Sequence, residues 1–156
     1  MKQVLAAIDF SEATSEVLRC AAELTEAFEA TLILVHVAAP NPEFVGYEAG
    51  PSSVRDSRAR ELRREHRMLQ EYAEDLRQRG IPTKALLVQG PTVQTLLDEA
   101  RSLRADVIVI GSRGHGAVRR VLLGSVSRGV LGGALCPVHW VPIRAAAPLG
   151  QAKGVA

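Results

Sequence analysis

Apolar residues in this chain follow two alternating patterns: short unbroken runs, and longer stretches where they recur every three or four positions. The runs are Val4 to Ile8, Leu32 to Val37, Ala85 to Val88, Val107 to Ile110 and Val138 to Val141. Most lack polar alternation, as expected of strands covered on both faces of a parallel sheet. Between the runs a helical period takes over. Val17, Ala21, Leu24 and Phe28 form one stripe, the mark of an amphipathic helix. Leu62, Leu69 and Leu76, with Tyr72 and Ala73, form a longer one that stops at Gly80 ahead of Pro82, a usual helix ending. A third stripe, Val93, Leu96, Leu97, Ala100 and Leu103, follows Gly90-Pro91-Thr92. The fourth helix begins near Gly124-Ser125 and runs through Val130 and Ala134 to a stop before Pro137.

The order β-α-β-α-β-α-β-α-β predicts an α/β fold: a five-stranded, parallel, doubly wound sheet in three layers, its right-handed crossovers placing helices on both faces. Residues 1–143 make one domain. Residues 38–52, with Pro40, Pro42, Gly46, Gly50 and Pro51, form a loop long enough to be a functional element. Residues 144–156 have no periodicity and read as a flexible tail.

Composition narrows the possibilities. The 156 residues suffice to bury a core without disulfides or metal. Nineteen basic against seventeen acidic residues leave a net charge of +2, too little to argue for nucleic acid. The arginines between Arg55 and Arg79 are interleaved with Asp56, Glu61, Glu65, Glu71, Glu74 and Asp75. Spacings such as Asp56 to Arg60 and Asp75 to Arg79 predict a salt-bridged, solvated helix face rather than a nucleic-acid patch. The few aromatics are scattered, so no base-stacking platform is expected. Cys20 and Cys136 stand far apart in apolar surroundings and are expected as buried free thiols of a reducing compartment. The first apolar run is too short for a signal peptide or a membrane span. The expectation is a cytoplasmic protein with no membrane partner.

Ligands of doubly wound sheets bind beyond the carboxyl ends of the strands, where the winding reverses. Glycine gathers at one such end: Gly111-Ser112-Arg113-Gly114-His115-Gly116, then Gly124-Ser125-Val126-Ser127 opening a helix. Glycine admits a close backbone approach, and free amides at a helix start favour phosphate oxygens. The hydroxyls of Ser125 and Ser127 add donors, and Arg113, Arg119 and Arg120 raise the positive potential. Singly, each of these residues reads better as a turn glycine or a Ser N-cap, which any helix might have.

The combined spacing Gly-x-x-Gly-x9-Gly-Ser resembles the ATP-binding branch of the universal stress protein family. Flanking segments resemble it too: Ala6-Ala7-Ile8-Asp9-Phe10-Ser11-Glu12, Leu34-Val35-His36-Val37, Leu122-Leu123-Gly124-Ser125-Val126-Ser127 and Cys136-Pro137-Val138. The likeness covers about residues 2–142. It implies a Rossmann-like fold of the adenine nucleotide alpha-hydrolase kind that binds ATP, or ADP or AMP, with magnesium or manganese entering through the phosphates. It also implies a homodimer through the strand Val138 to Val141. By position, Asp9 would accept hydrogen bonds from the ribose, Ala7 would line the nucleoside pocket and the Val37 backbone would read the adenine edge. Gly111, Gly114, Gly124 and Ser125, with neighbouring amides through Gly116 and Ser127, would hold the phosphates. Asp9 has a competing reading as a helix N-cap with Glu12 as its capping-box partner, and His36 reads better as a packed core histidine than as a ligand.

Other chemistries fit poorly. Ser125 stands where a P-loop needs lysine, and no Gly-x-Gly-x-x-Gly follows the first strand. Cys136 and His139 are only two potential zinc ligands. Ser112 and His115 lack an identifiable acid for nucleophilic catalysis, so no catalytic residue is assigned. Three functions compete: a nucleotide-dependent stress-response regulator, a slow ATPase on the same site, and a dimeric structural module without nucleotide. Phosphoryl transfer is helped by a held metal and an oriented nucleophile, and no carboxylate lies near the Gly-Ser segment.

Overall fold

The structure, a computed structural model, describes residues 1–38, 52–112 and 124–142. The tail singled out above, and the loop apart from its end residues 38 and 52, therefore lie outside the described residues. The elements are β1 (Gln3–Ala7), α1 (Thr14–Ala27), β2 (Thr31–Ala38), α2 (Ser52–Gln78), β3 (Thr83–Gln89), α3 (Thr92–Ser102), β4 (Val107–Gly111), α4 (Ser125–Gly133) and β5 (Val138–Val141). All five strands pair in parallel in the order β3-β2-β1-β4-β5. The predicted doubly wound α/β/α sheet is what forms.

Alternation along the strands divides the core in two. Val4, Ala6, Leu32, Leu34, Val107 and Val109 pack with Val17 and Ala21 of α1 and Leu69, Ala73 and Leu76 of α2. Leu5, Ile33, Val35, Ile108 and Ile110 pack with Leu96 and Ala100 of α3 and Val130 of α4. Period-two side chains force this split, and it explains why the central strands are apolar throughout. The winding reverses between β1 and β4, so the two chain segments diverge there and leave a crevice at the carboxyl ends.

Several expectations need correction. Phe28 does not continue the α1 stripe: it caps the helix and is 50% exposed. The chain turns away because Glu29 adopts φ 49°, and the amides of Glu29 and Ala30 bond back to the carbonyls of Glu26 and Thr25, closing a Schellman-type end. Arg104 (φ 51°) ends α3 by the same bonds, to Arg101 and Ala100, and Gly80 (φ 83°) ends α2. Asp75 pairs with Arg79 at 3.9 Å, but Asp56 and Arg60 form no ion pair; Arg60 donates to Ser57 Oγ. Cys20 and Cys136 are free but only half-buried.

One length mismatch shapes the site. The 27 residues of α2 span about 40 Å at 1.5 Å per residue, whereas the seven of β3 cover about 23 Å. The fully buried side chains of α2 all lie in its second half. Its first half therefore overhangs the carboxyl end of the sheet.

Candidate functional site

A cleft of about 730 Å³ opens at that end. Its best-defined wall is the junction of β4 and α4. Gly111, the last residue of β4, and Ser112 just beyond it are buried, and Ser112 N–H donates to the Val141 carbonyl at 2.8 Å. Gly124, the N-cap of α4, donates its own N–H to the Ser112 carbonyl at 3.0 Å. The Ser127 hydroxyl donates to the Gly111 carbonyl at 2.7 Å. The first turn of α4 is thus stapled to the end of β4. The amides of Ser125, Val126 and Ser127 are first-turn amides without intrahelical acceptors, at the positive end of the helix dipole. This geometry suits an anion. It also corrects one expectation: the Ser127 hydroxyl is committed to Gly111, so Ser127 can offer a ligand only its backbone. Ser125 is exposed, and its hydroxyl remains a candidate donor. Arg113, Gly114, His115, Gly116, Arg119 and Arg120 lie outside the described residues.

Ala7, Asp9 and Val37 line the same cleft, with Ala7 and Val37 packed on the α3/α4 side of the sheet. Asp9 is not the N-cap of α1. The helix starts five residues later, with Ala13 at the N-cap and no side-chain cap bond. Asp9 Oδ1 instead accepts hydrogen bonds from Ser11 N–H (3.0 Å) and Ser11 Oγ (2.5 Å), a local turn of the kind Asp favours. That turn fixes the carboxylate at the cleft beyond β1.

The cleft has a second side that spacing does not reveal. Phe10, Thr14, His36, Glu65 and Met68 line it on the α1/α2 face. His36 is buried, as read from the sequence, yet it also borders the cleft; its ring lies 4.4 Å from that of Phe10. Phe10 adopts φ 59°, a strained conformation for a bulky residue. Glu65 reads from the sequence as part of a solvated helix face; only the path of α2 over the sheet brings it inward. Burial pushes the thiols of Cys20 and Cys136 up, away from the thiolate form. Among the described residues no three His, Cys, Asp or Glu come together as a metal site, and no helix is long and apolar enough to cross a membrane.

Comparison with known proteins agrees with this architecture. The model of the Universal stress protein family matches residues 1–142. A universal stress protein of Thermus aquaticus is 34% identical over 138 residues, spanning 88% of this chain and 96% of its own length. Two solved universal stress proteins share the fold with TM-scores of 0.63. One is a complex with cAMP, at 22% identity, covering 90% of this chain and 95% of its own. The other, from Archaeoglobus fulgidus, is a complex with dAMP, at 23% identity, covering 90% of this chain and 98% of its own. The family match along nearly the whole described fold shows that this chain belongs to the universal stress protein family.

Proposed function

We propose that the cleft binds an adenine nucleotide, ATP or else ADP or AMP, and that the protein acts as a nucleotide-dependent regulator of a cytoplasmic stress response. The observation that carries this reading is the junction of Gly111-Ser112 with the Gly124–Ser127 turn, which aims backbone amides into the winding-reversal crevice. Backbone amides and a helix dipole suit phosphate oxygens. Asp9 would accept from the ribose hydroxyls, Ala7 would back the nucleoside and the Val37 backbone would meet the adenine edge. The adenine-nucleotide complexes of two structural neighbours support the choice of ligand. Magnesium or manganese would arrive with the phosphates, because among the described residues the phosphate end of the cleft offers serine and backbone rather than a carboxylate set. The same lack makes any hydrolysis slow.

Mass spectrometry of nucleotide released from the purified protein, followed by calorimetry with ATP, ADP and AMP, tests the reading. Saturable adenine-nucleotide binding is expected, with no comparable response to inorganic phosphate. Absence of binding by all three nucleotides would overturn it. The same reading includes a homodimer: β5 ends the sheet, and an unpaired strand edge is a template for a second copy. Sedimentation should show a dimer, and replacing Val138 with proline should dissociate it.

A further inference from the structure

The α1/α2 side of the cleft holds three buried polar atoms without hydrogen-bond partners: Thr14 Oγ1, His36 Nε2 and Glu65 Oε2. All three residues line the cavity; Thr14 is 2% and His36 7% exposed. Burying such atoms unpaired is costly, so three in one lobe call for a partner.

The hydrogen on His36 follows from its other nitrogen. Nδ1 lies 2.9 Å from the Ile8 carbonyl oxygen, which can only accept. Nδ1 therefore carries the hydrogen, and Nε2 of the neutral ring presents a lone pair. That lone pair faces Glu65 Oε2 at 3.7 Å, beyond direct hydrogen-bond distance. An ionised carboxylate is also only an acceptor. Two acceptors oppose each other, and the Thr14 hydroxyl, which can donate or accept, bonds to neither of them; the component that would join all three is a donor with more than one hydrogen.

We propose that this lobe is a binding subsite for the protonated primary amine of a small ligand with an apolar body. An ammonium has three N–H donors, matched by His36 Nε2, the Glu65 carboxylate and Thr14 Oγ1. Its charge is met by Glu65 and by the ring of Phe10, since aromatic faces attract cations. The apolar body lies along Phe10, Val17 and Met68, which share the lobe. Of the other charged residues on this wall, Glu61 is held by Arg58 at 2.6 Å and Arg64 is exposed at the rim. A divalent metal fits less well, because only His36 and Glu65 could ligate it strongly. The subsite shares the cleft with the proposed nucleotide site but uses the opposite face of the sheet, so it stands whether or not nucleotide binds.

The test is a titration of the full-length, ¹⁵N-labelled protein at pH 8 with butylammonium chloride, following the His36 ring nitrogens by NMR. Sodium chloride at matched ionic strength and 1-butanol are the controls. The free protein should show the Nδ1–H tautomer, and butylammonium should shift the Nε2 signal saturably. Glu65→Gln should weaken that binding at least about tenfold, because a charge-assisted bond is lost, and Thr14→Val should weaken it less. Calorimetry with ATP on the same samples separates failure here from failure of the nucleotide reading. A doubly protonated His36 ring in the free protein would mean that an internal ion pair already satisfies the lobe, and would overturn the proposal. An equal shift with 1-butanol, or no saturable shift with butylammonium, would overturn it as well.

Discussion

The two sides of the cleft are built from different materials. On the α3/α4 side the groups offered to a ligand are backbone amides, placed by a helix start and a strand end that bond to each other. On the α1/α2 side they are side chains, His36, Glu65 and Thr14, brought together from a strand and two helices. A backbone site tolerates changes of side-chain identity but not loss of space. A side-chain site is the reverse. The difference teaches that one cleft can be disabled one side at a time, and substitutions can be chosen to do so.

The largest effect is expected from Gly124→Val. Gly124 has φ −58° and ψ 158°, which valine can adopt, so the far-UV circular dichroism should persist. The added side chain stands where phosphate is proposed to sit, and ATP affinity should fall by about 3 kcal/mol or more, over a hundredfold. Equal affinities by calorimetry would remove this junction from the site.

Next comes Asp9→Ala, with an expected loss of about 1.5–3 kcal/mol in nucleotide binding if a charge-assisted bond to ribose disappears. Asp9 does not cap α1 but holds the Ser11 turn, so the melting temperature of the free protein should fall only modestly while the nucleotide-induced rise shrinks. Glu65→Gln, on the other side, should leave that rise intact. A comparable loss in both variants would mean that the two sides are not independent.

Gly129→Ala sharpens the comparison through packing. A Cβ there would come within 2.8 and 2.9 Å of the Val93 methyls, forcing α4 away from α3. Overpacking of this kind costs about 1–3 kcal/mol, and ATP affinity should fall with it. Gly132→Ala, on the same helix, meets nothing within 4 Å and should stabilise by about 0.5–1 kcal/mol. Denaturant midpoints of the two variants moving in the same direction would contradict this packing.

The smallest effect belongs at the far end of the sheet. Asp106 accepts hydrogen bonds from Lys2 N–H (2.6 Å) and Gln3 N–H (2.9 Å), which hold its carboxyl below the usual carboxylate range. A folded-state value below the unfolded one adds stability above the unfolded pKa, about 3.9, and that stability is lost as pH falls through the folded value. Asp106→Asn should therefore lower the melting temperature at pH 7, with the gap narrowing below about pH 4, and should not change ATP affinity. A gap independent of pH would show that the carboxylate charge does not act here.

Much of this could be read before any coordinates. The apolar runs located all five strands, each within two residues of its observed ends, because covered strands must be apolar on both faces. Gly124 and Ser125 marked the start of α4 for the same local reason that helix starts need exposed amides. Phe28 was misleading: its spacing extends the α1 stripe, but Glu29 takes a left-handed conformation that no spacing announces. Asp9 reads from the sequence as a ribose contact with a helix cap as the competing role; the start of α1 at Thr14 and the two bonds to Ser11 decide against the cap.

Sequence alone determined the period of each segment, the alternation of strands and helices along the chain and the place of the glycine-serine motif, because these depend on neighbours along the chain. Tertiary structure alone decided that the Ser127 hydroxyl is spent on Gly111, and that α2 overhangs the sheet and turns Glu65 toward His36. Those facts depend on how far one element extends past another. Residues 29 positions apart in the chain meet only because a helix longer than its strand has to pass over the strand's end.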